Sequence, residues 1–479
     1  MTLSQRIAAA VRFVVAPKAR YEGARHSTSR STLHGSVQSA RYDIDPYTRY
    51  ELVRRSRYFE RNNAFVNRLA DLFEQYTVGQ GLAFFPASQD AEWNASALQY
   101  WRDWARFADL SSRLSFGTLQ GVIARSLFVD GEIFVLLTRG ESGNPRIQLI
   151  ESHRVETPPN AKDNVIDGVE IDSRGRPVAY HIATEDAKKV KTYSRASAEF
   201  VVHIFEPARP GQYRGLPALY PVMNDLHDLD DLQILEMQAA KDAAQVQRVI
   251  KTSTGEVSDD DLIRGTVTGS DNVERSSYYK DVFQGSAVVL KHGDEFQQFA
   301  VERPSAATSG YWDYLTAKVC AGVGIPKEIV LPSSMQGTSM RSVLDIANSF
   351  FRSRSSVIAD HLKRVYEYVM EVGIQTEPFL QPAPGDWYRS NYRSPRAINV
   401  DVGRNSAAAV AEFKTGMRTL QSIYAETGED WREQLRQKAA EIAYARDLAA
   451  EFNVDRAEIM TLDPNELSSN NAAADTANQ

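Results

Sequence analysis

The sequence predicts an α+β protein, in which helical regions flank a separate block of strands. Between residues 147 and 206 apolar and polar residues alternate, and turn sequences such as Ser173-Arg174-Gly175-Arg176 separate the runs. This alternation is typical of antiparallel strands. On both sides of the block, apolar residues recur every three or four positions, as in amphipathic helices. With 43% apolar residues in 479, the chain can bury a large core, and two to four domains are expected.

The chain before the strand block is predicted to be helical after a partly ordered arm. Residues 1–45 are rich in Ser, Arg and Ala and are expected to form that arm. Helices are predicted over Tyr50–Tyr76, Ala91–Ala108 and Phe116–Phe128, followed by a strand over Glu132–Thr138. Trp101 and Trp104 are three residues apart, share one helix face, and are expected to lie in the core.

The strand block ends in a rigid corner. Strands are predicted at Ile147/Leu149, Val165–Ile171, Val178–Ile182 and Phe200–Phe205. The last one runs into Arg209-Pro210-Gly211-Gln212-Tyr213-Arg214-Gly215, where Pro fixes φ and Gly permits positive φ. The corner therefore holds one shape while it presents two arginines, and on the residues alone it is a structural hinge.

The second half of the chain is predicted to be mostly helical. An unbroken pattern over Pro217–Lys251 predicts a helix about 50 Å long, and residues 253–302 read as short polar strands. Pro332–Ser339 predicts a flexible polar loop, and Leu467–Gln479 a disordered tail. Further helices are predicted over Ser305–Val323, Arg341–Val372, Ser406–Tyr424 and Trp431–Phe452.

Charge is distributed unevenly along the chain. The net charge of −7 argues against a simple basic nucleic-acid binder. Residues 1–61 nevertheless carry 12 Lys/Arg against 5 Asp/Glu, and residues 253–302 carry 10 acidic residues against 4 basic ones. This asymmetry indicates different partners for the two regions, with a solvated face as the alternative.

No motif in the sequence proposes an enzyme. P-loop, dinucleotide-binding, zinc-protease, paired-cysteine and serine-hydrolase motifs are absent from the sequence, so no cofactor or metal is expected. The single cysteine, Cys320, lies in an apolar helical stretch and reads as a buried, inert thiol suited to a reducing cytosol. No run of about 20 apolar residues is present, so no membrane partner is expected.

Two carboxylate-rich segments were weighed as sites. Asp130, Glu132, Glu151 and His153 lack a metal-ligand spacing, so turn and edge positions are favoured over a metal site. The four aspartates between 225 and 231 crowd the first half of the predicted helix over Pro217–Lys251, which suits the helix dipole better than a catalytic cluster.

Short motifs follow one another along the chain in a recognisable order. They are Leu52-Val53-Arg54-Arg55-Ser56-Arg57, Val78-Gly79-Gln80-Gly81, Leu114–Gln120, Asp130-Gly131-Glu132, Gly168-Val169-Glu170-Ile171-Asp172, Gly175–Tyr180, His203-Ile204-Phe205, Arg209-Pro210-Gly211-Gln212-x-Arg214-Gly215, Gly322–Pro326 and Ser339-Met340-Arg341. In this order they resemble the lambda-type family of tailed-bacteriophage portal proteins, over roughly residues 50–450. The sequence departs from the family pattern at Lys327, in place of an aromatic residue, and at Gly337–Met340.

The resemblance implies a portal-protein fold with a mixed α/β wing, a two-helix stem, a small β-containing clip, a long tunnel helix and a C-terminal helical crown. The implied segments are 1–49 basic N-terminal arm, 50–216 wing, 217–252 stem helix 1, 253–303 clip, 304–325 stem helix 2, 326–340 tunnel loop, 341–376 tunnel helix and wing return, 377–466 helical crown and 467–479 disordered tail.

The resemblance also implies a function without catalysis. A homo-oligomeric ring, with twelve copies expected, would form the channel for double-stranded DNA at one capsid vertex of the virion, after assembly in the host cytoplasm. The implied partners are DNA (transient and non-specific), the terminase large subunit, head–tail adaptor proteins, and the major capsid and scaffold proteins.

Candidate site residues follow from this scheme. Tunnel-loop residues expected to touch DNA are Ser333, Ser334, Gln336, Ser339 and Arg341. Clip residues expected to dock the motor or adaptors are Asp259, Asp260, Asp261, Asp271 and Glu274. Arg209, Gln212 and Arg214 would stabilise their own turn or contact a neighbouring subunit, and the first role is preferred.

Two alternatives stay open on the sequence. A DNA-processing nuclease would use the aspartates at 225–231 or 259–261 and would cleave with a divalent metal. A phage structural adaptor sharing only the fold would form no ring.

Overall fold

A computed structural model describes residues 37–245, 249–251, 264–268, 274–278, 288–290, 306–332, 338–395, 397–398, 409–427 and 431–454. Seven of the candidate site residues fall outside these ranges: Ser333, Ser334, Gln336, Asp259, Asp260, Asp261 and Asp271. So does the predicted tail.

From residue 37 onward, the first part that the structure describes contains five helices and one strand before the strand block. They are α1 (Ala40–Asp43), α2 (Pro46–Asn62), α3 (Ala64–Thr77), β1 (Ala83–Pro86), α4 (Ala91–Ala105) and α5 (Phe116–Val129). The single helix predicted over Tyr50–Tyr76 is wrong, because Asn63 divides it. The Asn63 side chain accepts hydrogen bonds from the backbone N–H groups of Phe65 and Val66, at 3.0 and 3.1 Å, and so caps a new helix.

The strand block forms two antiparallel sheets. Their strands are β2 (Glu132–Arg139), β3 (Pro145–Ile150), β4 (Val165–Ile166), β5 (Val169–Ile171), β6 (Pro177–Glu185), β7 (Lys191–Ser197) and β8 (Val201–Phe205). One sheet has the order β3-β2-β8 and the other β4-β5-β6-β7. The run predicted as one strand over Val165–Ile171 is a hairpin, since Asp167 and Gly168 adopt positive φ between its halves.

The core joins the helices to the three-stranded sheet. Helix α5 packs on α3, and both carry buried apolar side chains into one cluster with β2 and β8. The predicted core positions of Trp101 and Trp104 are confirmed, with exposed fractions of 4% and 6% and ring centroids 4.8 Å apart. Phe116 meets Trp101 edge to face at 5.3 Å.

The unbroken helix predicted over Pro217–Lys251 is wrong. A 3-10 turn at Tyr220–Val222 precedes helix α6 (Met223–Gln245), and the chain is extended again at β9 (Val249–Lys251). Pro217 and Pro221 lack the N–H group that a helix interior needs. Val249 and Ile250 are β-branched and pair in parallel with β12.

The remaining elements depart from the predicted pattern at two places. They are β10 (Arg264–Thr268), β11 (Glu274–Tyr278), β12 (Val288–Leu290), α7 (Ala306–Val323), α8 (Lys327–Val330), α9 (Thr338–Thr376), β13 (Ser390–Arg393), α10 (Leu420–Thr427) and α11 (Trp431–Phe452). The single helix predicted over Ser406–Tyr424 is wrong. Residues 409–414 are helical, but a turn that contains Gly416, at φ +74°, separates them from helix α10. Helix α9 begins at Thr338, so Thr338 and Ser339 are helical rather than part of the predicted loop. No helix within the described ranges is long and apolar enough to cross a membrane.

Candidate functional site

The corner after β8 carries Arg214 into a buried cluster of charged side chains. The cluster contains Arg49 from α2, Glu132 at the start of β2, Asp167 in the β4–β5 turn, His203 on β8 and Arg214 itself. Their side chains are 0–6% exposed. Charges buried this deeply are tolerated only when they are paired and hydrogen-bonded.

Every N–H of the Arg214 guanidinium has an acceptor. Nη2 donates to Oε1 of Glu132 at 2.5 Å and Nε donates to Oε2 at 3.1 Å, which is the bidentate geometry of a strong charge-assisted pair. The other three donors go to backbone carbonyls: Nη2 to Ser152 at 2.7 Å, and Nη1 to Val155 at 2.8 Å and to Asp167. Arg214 thus joins three separate chain segments to its own corner.

Glu132 is the common acceptor of the cluster. Besides Arg214, it accepts from the Gly215 N–H at 2.7 Å and from His203 Nε2 at 3.0 Å. Burial by itself would raise the pKa of Glu132, but Arg214 and His203 outweigh burial and hold the pKa far below its ordinary value. The carboxylate is therefore ionised throughout the physiological range.

Arg49 closes the cluster from the N-terminal side. Its Nε donates to the Asp167 carboxylate at 2.5 Å, and its Nη1 lies 3.6 Å from Glu132. Two arginines thus face two carboxylates inside one subunit, so the formal charges balance. The balanced set ties helix α2 to both sheets.

Two glycines allow the strands to approach closely enough for these bonds. Gly131 has φ +84°, and a Cβ built on it would overlap the backbone of Leu216. A Cβ on Gly215 would overlap the carbonyl of Gly131. The motifs Asp130-Gly131-Glu132 and Arg214-Gly215 are therefore in direct backbone contact. Their paired side chains, Glu132 and Arg214, are 82 residues apart in the sequence.

The residues around the cluster do not form a metal site. Asp130 is bound by Arg57 at 2.5 Å and by the Ser152 hydroxyl at 3.1 Å, while Glu151 and His153 are largely exposed. Within the part of the chain that the structure describes, no group of three His, Cys, Asp or Glu residues could hold a metal ion. Asp130 and Glu132 are buried in ion pairs, which differs from the turn and edge positions favoured by the sequence.

The other two corner candidates contact their own subunit. Arg209 is half-exposed, pairs with Asp43 and donates to the Gln38 carbonyl at 2.7 Å. Gln212 is buried; it accepts from the Ala208 N–H at 3.0 Å and donates to the Arg214 carbonyl at 2.8 Å. Gln212 therefore closes the turn, and Arg209 attaches the segment before α2 to it.

Of the tunnel and clip candidates, Ser339, Arg341 and Glu274 lie within the described ranges. Ser339 and Arg341 are exposed in the first turn of α9, and Glu274 begins β11, opposite Thr268 of β10. The aspartates of α6 do not act as one group. Asp225 pairs with Lys318 of α7 at 2.6 Å, and Asp230 accepts from Asn63 at 2.6 Å.

Comparison with known proteins identifies the class of this chain. It belongs to the family described as phage portal protein, lambda family, whose profile matches residues 26–353. The chain is therefore a phage portal protein, a subunit of the ring at a capsid vertex of the virion. This membership confirms the family resemblance of the sequence motifs.

The chain is similar to several individual proteins. The probable portal protein of Halomonas phage phiHAP-1 is 24% identical over 432 residues, which cover 84% of this chain and 81% of the relative. Portal protein B of Escherichia phage lambda is 23% identical over 439 residues, covering 80% and 81%. A chain from the virion of a native gene transfer agent particle is 13% identical with a TM-score of 0.41, covering 80% of this chain and 90% of that one.

Sequence reasoning singled out only part of the cluster. Glu132, His203 and Arg214 stood inside quoted motifs, but nothing in the sequence paired them. Arg49 was assigned to a basic arm, and Asp167 passed unnoticed immediately before Gly168. The sequence offers one signal for the cluster. Glu132 and Arg214 each stand next to a glycine, and His203 lies on a predicted strand.

The cluster makes stability sensitive to acid in two steps. Burial lowers the pKa of His203, against the opposing effect of its bond to Glu132. As pH falls through about 6.5, this histidine binds a proton in the unfolded chain but not in the folded chain. The free energy of unfolding therefore decreases. Stability from Glu132 is present above about pH 4.5 and is lost as pH falls below it.

The first step can be measured by urea unfolding between pH 7.5 and 5.5. We expect His203→Gln, which can still donate to Glu132, to reduce the loss of unfolding free energy over this range relative to the wild type. An identical pH slope in the two proteins would contradict the assignment, because the other histidines are common to both.

Proposed function

We propose that twelve copies of this chain form the portal ring, which acts as a passive conduit and docking platform rather than a catalyst. The observation that carries the proposal is the family match over residues 26–353, together with the shape of the segment after the wing. Helices α6 and α7 lie side by side, linked by Lys318 to Asp225 at 2.6 Å and Thr308 to Glu236 at 3.1 Å. The short strands β9–β12 come between these helices in sequence.

This arrangement supports the division inferred from the resemblance. A stem at 217–252 and 304–325 would carry a clip at 253–303, with the arm at 1–49 and wing at 50–216 before it. A tunnel loop at 326–340, a tunnel helix with wing return at 341–376 and a crown at 377–466 would follow. Helix α9 ends at Thr376, and we propose the boundary between the tunnel helix with its wing return and the crown at this point.

Passage of DNA requires weak contacts. Each phosphate neutralised by a basic side chain adds affinity, and a tightly bound duplex would not slide. We propose that Ser333, Ser334, Gln336, Ser339 and Arg341 make the transient contacts, since four of the five are uncharged. Such contacts would be independent of DNA sequence.

Other partners are assigned by charge. The acidic clip residues Asp259, Asp260, Asp261, Asp271 and Glu274 would dock the terminase large subunit during packaging and head–tail adaptor proteins afterwards. The basic residues 1–61 would face the major capsid or scaffold proteins during assembly in the host cytoplasm. We further propose that Arg214 and Gln212 stabilise the corner within one subunit, which their complete set of internal acceptors and donors favours.

Imaging tests this function directly. Purified protein is expected to give rings with a central hole in negative-stain electron microscopy, and masses near twelve subunits by mass photometry. A uniform monomer that persists at high protein concentration would contradict the proposal.

A further inference from the structure

Helix α2 exposes a row of tyrosines on the face that points away from the core. Tyr47, Tyr50 and Tyr58 are 78%, 58% and 54% exposed, and Arg54 and Arg61 lie on the same face. The spacings of three, four, four and three residues align all five side chains along the helix. We call these five residues the tyrosine–arginine stripe. The buried face of the helix carries Arg49, Val53, Ser56 and Phe59.

This composition is unusual for a helix face in water. The outer face of a surface helix normally carries charged and small polar residues, whereas the stripe presents three large rings. Tyrosines of this size and exposure offer roughly 400 Å² for burial, about half of one side of a standard protein interface of about 800 Å². Tyr and Arg are also the residues most enriched where protein partners bind strongly.

The charges of the helix favour a protein partner over DNA. Arg54 and Arg55 both donate to Glu51, at 2.7 and 2.8 Å, so part of their charge is already neutralised. Arg61 uses its Nε for the Arg57 carbonyl at 3.0 Å. Affinity for a duplex grows with the number of phosphates that basic groups can neutralise, and this face offers only two arginines, one of which already pairs with Glu51.

A complementary face exists on the same chain. Along α6, residues Asp228, Asp231, Ile234 and Leu235 lie on one side, with Ile234 and Leu235 64% and 66% exposed. We call this set the outer α6 face. Leu226 and Leu229, which are buried in the subunit's own interior, lie on the opposite side of the helix, so the outer α6 face turns away from that interior.

We propose that the tyrosine–arginine stripe of one subunit docks on the outer α6 face of the neighbouring subunit in the ring. The inference rests on the proposed ring. The two surfaces differ, and each faces away from the buried side of its own helix, as a head-to-tail interface between ring neighbours requires. The tyrosine rings would cover Ile234 and Leu235, while Arg54 and Arg61 would meet Asp228 and Asp231.

The first test removes the rings. In Tyr47→Ala/Tyr50→Ala/Tyr58→Ala, the buried face of α2 is unchanged, so circular dichroism should report a folded subunit. Mass photometry should find the ring population reduced at least about tenfold at equal concentration. Tyr388→Ala, which removes another half-exposed tyrosine, serves as the control and should leave the rings intact.

The second test exchanges charges across the contact. Arg54→Glu/Arg61→Glu and Asp228→Arg/Asp231→Arg should each reduce ring formation, and the chain carrying all four substitutions should restore it. Rings that survive the tyrosine substitutions, with or without loss of DNA or capsid binding, would overturn the inference. If each pair of substitutions alone disrupts the rings and the chain with all four substitutions still forms none, the pairing with the outer α6 face would be overturned. A wild-type chain without rings would instead overturn the proposed function.

Discussion

Replacing Arg214 with methionine is expected to destabilise the subunit by about 3–5 kcal/mol, because the substitution leaves a buried carboxylate without its main partner. Glu132 would lose both guanidinium bonds and retain His203, Gly215 and the distant Arg49. The carbonyls of Ser152, Val155 and Asp167 would each lose a buried donor as well. Urea unfolding followed by tryptophan fluorescence at pH 7 measures the loss.

Arg209 provides the matched control on the same corner. Its pair with Asp43 is about half-exposed, so Arg209→Met should cost no more than about 1 kcal/mol. Combining Arg214→Met with Glu132→Gln should cost clearly less than the sum of the two single changes, since both remove the same interaction. Equal effects at positions 209 and 214 would show that the buried cluster does not stabilise the wing.

A methyl group at position 131 is expected to be nearly as damaging. Gly131→Ala combines a positive φ, which costs about 1–2 kcal/mol in an L residue, with overlap on the Leu216 backbone, which costs about 1–3 kcal/mol more. The overlap would also push the Glu132 strand away from the Arg214 corner. We expect a lower urea midpoint and a subunit that unfolds at least about 2 kcal/mol more readily.

Two other glycines separate the contributions. Gly211 has a similar φ of +76° but no atom within 4 Å of a built Cβ, so Gly211→Ala should show the conformational cost alone. Gly310 lies inside α7 with open space around it, and Gly310→Ala should stabilise by about 0.5–1 kcal/mol. If Gly131→Ala were no worse than Gly211→Ala, the close contact between the two motifs would be wrong.

The spacing of apolar residues predicted the long helices well. Helix α11 begins and ends at the predicted residues, and α7 differs from its prediction by one residue, because both carry long helical patterns. Strand β7 was missed, since its residues Lys191–Ser197 are polar on both faces and lie at the edge of the sheet. The break at Asn63 was missed because capping by one side chain leaves the apolar pattern intact.

The candidate site shows where sequence reasoning ends. Motifs identified the family, yet the contacts that matter join residues far apart. Glu132 and Arg214 are separately ordinary surface residue types, and only the fold reveals that both are buried and paired. Tyr47 precedes the helix predicted over Tyr50–Tyr76, and Tyr58 is not among the apolar positions that predict it, so the sequence pattern does not indicate a row of exposed tyrosines on α2.

The buried cluster also constrains the order in which a newly made chain can fold. Arg49 meets Asp167 across 118 residues, and Glu132 meets Arg214 across 82. Contacts this distant cannot form until the last participant has left the ribosome, which takes on the order of 10 to 30 s after Arg49 has been synthesised. Until then Glu132 has no arginine from the corner, and the wing lacks its central ion pair. A chain released before residue 214 lacks these bonds, and we expect its wing to be less stable than that of the full chain.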